Sequence, residues 1–303
     1  MRKIIVLIFI SHLFLYSCKN DAQKLNNQDN VLLAKDVSVT SPVIIDNENN
    51  PDWTNSLNRD AFLNRAFKNA LTKVVPVYKI GPLNFENVEN LELTPSDYIQ
   101  QHMGYTDDWK GKEMPTNEIK EIVFYEKWFF DKEKLKLSKD VIGWCPVRLW
   151  KGNGKEGKKL IFYAYPKVKV KGIKIAENIK YEVPWTFEYP TTNVGFDKSN
   201  FLTYIIDGIK SGKFIAYDPI YLVDKSKRKF SVEDLTKYIG QNLNPGLIDF
   251  YLKSILFEED WYFDEKTLSI QKDVKSIAFV QYQEPKKPGD SDTKILFFIF
   301  PKE

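Results

Sequence analysis

One passage is written twice in this chain: "FYEKWFFDKEKLKLSKDVIGWCPV" at residues 124–147 returns as "FEEDWYFDEKTLSIQKDVKSIAFV" at residues 257–280. Laid over each other without a gap, the two share Phe124/Phe257, Glu126/Glu259, Trp128/Trp261, Phe130/Phe263, Asp131/Asp264, Leu135/Leu268, Lys139/Lys272, Asp140/Asp273, Val141/Val274 and Val147/Val280. A recurrence of this kind constrains the fold strongly, because each copy must find the same surroundings. The likeness continues in the same order on both sides. Residues 61–78 lie over 200–217, pairing Phe62 with Phe201, Leu63 with Leu202 and Tyr78 with Tyr217. "TPSD" at 94–97 answers "SVED" at 231–234, both shaped like capping boxes, and "KLIFYAYPK" at 159–167 answers "KILFFIFPK" at 294–302. Four blocks in one order indicate an internal duplication.

Each copy reads the same way. Ala61, Phe62, Leu63, Ala66, Phe67, Ala70, Leu71 and Val74 recur at helical spacing, as do Phe201, Leu202, Ile205, Ile206 and Ile209, with Gly212 placed to end the second helix. A short strand rich in β-branched and aromatic residues follows, "VVPVYKI" or "KFIAYDPIYLV", then the capped short helix. The aromatic-acidic segment leads into two longer strands around a polar turn. The expected class is α+β: two tandem homologous modules, each of helices plus a mainly antiparallel sheet, at residues 58–170 and 171–303. Residues 168–184 read as an extended connector.

The first residues carry a different message. Arg2 and Lys3 precede an apolar run from Ile4 to Leu15 that is too short to anchor as a helix, so residues 1–17 read as a signal peptide. "LYSC" resembles the lipobox of bacterial lipoproteins, which implies cleavage before Cys18 and acylation of its thiol. An ordinary signal peptide that happens to contain a cysteine is the other reading. Residues 18–57, rich in Asn and Asp, read as a lipidated polar tether. Lys+Arg number 44 against 41 Asp+Glu, and processing removes two of the cations, so the mature chain is near neutral and nothing steers it to nucleic acid. With Cys18 acylated, Cys145 has no partner for a disulfide and reads as a small buried apolar residue.

The candidate chemical motifs weigh lightly. "GNGKEG" at 152–157 has a dinucleotide-loop spelling but runs into a strand, so it reads as a hairpin turn. His102 is the one histidine beyond the signal peptide and has no repeated counterpart, which argues against a triad or a His/Cys metal site. Asp131, Asp140, Asp264 and Asp273 recur among lysines, as turn and surface groups do, and "GDSD" at 289–292 reads as a turn. Trp128 with Phe130, and Trp261 with Phe263, share a strand face at a spacing of two and read as core. Trp53, Trp109, Trp150 and Trp185 lack a tryptophan counterpart and are candidates for an exposed platform for sugar rings. No catalytic residue, metal or cofactor is expected.

The second copy carries a family resemblance. Tyr189-Pro190, Gly212, Ala216-Tyr217-Asp218-Pro219 and "EDWYFD" at 259–264 occur in the order of the corresponding segments of the GldN/PorN family, and "EKWFFD" at 126–131 repeats the last of them. The chain resembles that family of periplasmic ring subunits of gliding motility and type IX secretion. The resemblance implies a non-enzymatic component working through protein contacts with envelope proteins, secretion and motility ring subunits among them. It also implies that Tyr217, Asp218, Pro219, Trp128, Phe130, Asp131, Trp261, Phe263 and Asp264 are family-motif positions of structural character. Together with Cys18 this predicts an exported protein, lipid-anchored at the outer membrane on its periplasmic face or at the cell surface. A carbohydrate-binding or glycan-processing surface lipoprotein is the alternative.

Overall fold

The computed structural model describes residues 30–42, 57–58, 60–72, 75–78, 119–152, 155–185, 198–240, 242–285, 287 and 291–302, with backbone alone for 30–42, 60, 71, 149–152, 155–156 and 198–199. Cys18, Trp53, residues 94–97, His102, Trp109, Tyr189 and Pro190 lie outside the described residues. The strands are β1 (Asn30–Pro42), β2 (Ile119–Asp131), β3 (Lys136–Gly152), β4 (Lys155–Leu160), β5 (Ile173–Pro184), β6 (Leu252–Asp264), β7 (Ser269–Tyr282) and β8 (Thr293–Ile299). Helix α1 opens with a π-helical turn, Asp60–Asn64, and continues as Arg65–Leu71. α2 (Lys198–Lys210), α3 (Tyr221–Asp224), α4 (Val232–Ile239) and α5 (Pro245–Tyr251) follow. The class is mixed helix and antiparallel sheet, with more strand than helix.

The strands make one sheet in the order β1-β2-β3-β7-β6-β5, with β4 added to β3 and β8 to β7. Alternation along β2 sends Ile122, Phe124, Trp128 and Phe130 to one buried face, and alternation along β6 does the same for Ile255, Phe257, Trp261 and Phe263. One main core holds these residues together with the apolar faces of α1 and α2. The helix ends follow their local chemistry. Gly212 and Gly240 adopt positive φ past α2 and α4, as the chain must where a helix ends in the left-handed region, and Ser231 Oγ accepts the Asp234 amide at the start of α4.

Strand register recurs between the halves. Val31↔Phe130, Ala34↔Trp128, Val37↔Glu126 and Val39↔Phe124 in β1/β2 answer Ile173↔Phe263, Ala176↔Trp261, Ile179↔Glu259 and Tyr181↔Phe257 in β5/β6, and the irregularities fall at the same steps. The β2/β3 and β6/β7 hairpins agree pair for pair, each with a shift at Tyr125/Glu126 or Glu258/Glu259. Leu135 and Leu268, both buried, hold positive φ in the two turns, so the same unusual backbone is used twice. Between the halves, β3 and β7 meet antiparallel with Lys139 opposite Lys272.

Several expectations are corrected. Residues 30–42 were expected to be tether but form β1, because pairing with β2 satisfies their backbone at the sheet edge. Most of the expected connector is β5, the opposite edge, and only about residues 165–172 join the halves without regular structure. Tyr78 and Tyr217 make single bridges, to Tyr163 and to Phe298 and Lys229, instead of belonging to short strands, and "YLVD" is the helical turn α3. The expected hairpin turn at "GNGKEG" is in keeping with the antiparallel β3/β4 pair, where Gly152 stands opposite Lys155.

Candidate functional site

Four charged side chains lie buried where β3 meets β7. Glu126 shares the inner face of β2 with Phe124 and Trp128 by strand alternation, and Glu259 shares that of β6 with Phe257 and Trp261. Lys139 and Lys272 enter from the two central strands. The pairs cross: Lys139 Nζ is 2.7 Å from Glu259 Oε1, and Lys272 Nζ is 2.6 Å from Glu126 Oε1. Each carboxylate is held from its own strand as well, by Trp128 Nε1 donating to Glu126 Oε2 at 2.7 Å and Trp261 Nε1 donating to Glu259 Oε2 at 2.8 Å.

Aromatic rings line the charges. Lys139 Nζ lies 3.1 Å from the ring centre of Phe257, and Lys272 Nζ lies 3.4 Å from that of Phe124, so each cation faces a ring of the other half. Tyr181, on β5, takes a hydrogen bond from Lys139 Nζ at 2.7 Å and donates to Glu259 Oε2 at 2.9 Å; Lys272 Nζ stands 3.4 Å from the same hydroxyl. Burial lowers Lys139 to about 8 against the pull of the neighbouring carboxylates. For Glu259 burial acts upward, but the Lys139 and Lys272 ammonium groups outweigh it and hold the carboxyl below its usual range. Burial and the two carboxylates raise Tyr181 well above an ordinary phenol. By geometry the cluster is two crossed ion pairs. Among the described residues the four side chains are closed off from solvent, and their ion pairs join the strands of the two halves.

The sequence reads Asp131, Asp140, Asp264 and Asp273 as turn and surface groups. That description fits Asp131 and Asp264, which accept backbone hydrogens from Glu133 and Lys134, and from Thr267. Asp140 pairs with Lys169 and Asp273 with Lys171 at the exposed surface. The neighbouring acids Glu126 and Glu259, which the sequence did not single out, are fully buried. Trp128, Phe130, Trp261 and Phe263 lie in the core, and so does Trp185, whose Nε1 donates to Asp249; it is not an exposed platform ring. Cys145 is buried, and burial raises its thiol.

The other motif positions close a loop onto β8. Tyr217 exchanges backbone hydrogen bonds with Phe298 and packs on Phe300, Asp218 Oδ1 accepts the Ile220 amide and Oδ2 pairs with Arg228, and the Pro219 carbonyl accepts from Leu222. Beside this loop Glu258, also buried, faces Lys225 at 3.3 Å and Lys180 at 3.7 Å and accepts from Ser276. The equivalent position in the other half is Tyr125, packed on Tyr163, so this polar group is not repeated. Among the described residues no three His, Cys, Asp or Glu side chains converge to hold a metal ion, and no helix is long and apolar enough to cross a membrane.

Residues 180–302 match the family model described as gliding motility associated protein GldN. This part of the chain is similar to the GldN family. The match starts within β5, takes in α2 to α5 and the Asp218 loop, and ends just past β8, so Tyr181, Glu259, Trp261 and Lys272 all lie within the matched stretch. The GldN family is associated with gliding motility and type IX secretion at the cell envelope. Among curated proteins none matches the chain.

Proposed function

We propose that the protein is a non-enzymatic, lipid-anchored assembly component of the cell envelope, serving gliding motility and type IX secretion through protein contacts. The GldN match over residues 180–302 carries this reading. The motif residues support it, since Trp261, Phe263, Asp218 and Asp264 are spent on core and turns and not on a cleft. Helix α5 adds a surface suited to a protein partner: Leu247, Phe250 and Tyr251 share one face, and Phe250 is 78% exposed. Cys18 is the proposed point of lipidation, with the body held at the outer membrane, facing the periplasm or the medium.

In this reading the chain is a tandem pair of GldN-like modules, the second domain preceded by a diverged copy. The recurrent registers of β1/β2 and β5/β6 support the duplication, and on this reading the first module starts at about residue 30 and not at residue 58. Crosslinking in intact cells followed by affinity purification from envelope fractions tests the role. Recovery of motility or secretion subunits is the expected outcome, with less of it for Phe250→Ser; recovery of glycan-utilisation proteins alone would reverse the assignment.

A further inference from the structure

Many of the contacts between the halves are reciprocal. Lys139 with Glu259 has its equivalent in Lys272 with Glu126. Phe124 meets Trp261 at 5.1 Å and Trp128 meets Phe257 at 5.1 Å. Phe62 of α1 packs on Phe263 at 5.0 Å, and Phe201 of α2 packs on Phe130 at 5.1 Å. Even the turns are shared crosswise: Asn69 of α1 donates to the Glu265 carbonyl and Tyr204 of α2 donates to the Lys132 carbonyl, at equivalent positions of the two hairpins. This is the pattern of an isologous interface, in which residue i meets j and j meets i. Residues 173–302 contain every group needed to form it with a second copy of themselves.

Two buried residues break the symmetry: Trp144, whose Nε1 donates to the Leu268 carbonyl of the other half and whose equivalent is Ile277, and Tyr181, which lies nearer the axis. Tyr181 places its hydroxyl within reach of both lysines, which face each other across the local two-fold, so it stands close to the axis. Its equivalent by register is Val39, opposite Phe124 as Tyr181 is opposite Phe257. A pair of first halves would bring no tyrosine to the axis, and a pair of second halves would bring two into space that holds one. Crowding in a dry, close-packed site is costly, and a like copy is rejected by the group it cannot accommodate.

We propose that the β3–β7 seam is a self-recognition surface for this type of half, and that Tyr181 restricts it to one first half with one second half. The inference rests on reading the halves as equivalent modules, but it does not depend on the envelope role, which partner capture tests separately. The test uses the full chain with a protease site inserted in the exposed stretch 167–170, cut after folding. Two preparations carrying different tags on the second half are mixed in denaturant and refolded together, and particles bearing both tags are measured. With Tyr181 present both tags are expected rarely in one particle; with Tyr181→Val the doubly tagged fraction rises severalfold. The exchange variant Val39→Tyr/Tyr181→Val, which returns one tyrosine to the axis and guards against a simple folding defect, restores assembly of the cut chain and moves the exclusion to pairs of first halves. Equal doubly tagged fractions with and without Tyr181, or none in either, overturn the proposal, as does an exchange variant whose fragments fail to assemble.

Discussion

Glu126 and Glu259 are the residues on which the structure turns, because an isolated carboxylate is too costly to bury and a paired one demands its partner. Each has an ammonium from the opposite half and an indole N–H from its own strand. Trp261→Ala is expected to lower stability by about 3–5 kcal/mol, since it empties a core site and strips a donor from Glu259; chemical denaturation measures it. Acid has a definite sign. Glu259 lies below its unfolded value of 4.5, so the unfolded chain takes up the proton first. Its contribution is complete above that value and fades as pH falls through the lower folded one. Denaturation midpoints recorded from neutral pH down should decline there, and less steeply for Glu259→Gln. The signal for these residues was present in the sequence: Glu126 lies two from both Phe124 and Trp128, and strand alternation puts all three on one face. The lysines around "DKEKLKLSKD" suggested solvent instead, and strands that come together only in three dimensions supply the partners that make burial possible.

Among the elements, those announced by local chemistry were legible and those defined by distant pairing were not. Gly212 ends α2 and Ser231 caps α4 because each solves a problem within a few residues. β1 was hidden by the polar residues around it. Laid over β5, its sequence keeps only Ala34/Ala176 and Pro42/Pro184, and what the two strands share is their place beside β2 and β6. The same dependence on a neighbour explains Gly172 at the start of β5. A Cβ there would stand 1.9 Å from the Phe263 carbonyl oxygen, so backbone approaches backbone where only glycine fits. Gly172→Ala should therefore cost about 1–3 kcal/mol, seen as a lower denaturation midpoint; an unchanged midpoint would mean that the strand end shifts freely.

For the molecule as a whole, two halves share one sheet and one main core, with helix α1 and helix α2 each reaching across to the aromatic strand of the other half. The recurrence of the aromatic-acidic passage was readable in the sequence, whereas the crossing of its charges was not, since identical residues in two passages do not say whether each lysine meets its own glutamate or the other's. Outside the seam the halves differ, as Glu258 and Tyr125 do, and the GldN match covers the second. The central claim is that the crossed ion pairs couple these halves. A double-mutant cycle on Glu126→Gln and Lys272→Met, read by equilibrium unfolding, tests it most directly. The account predicts that the two changes couple by about 1–3 kcal/mol, and additivity within about 0.5 kcal/mol would contradict it.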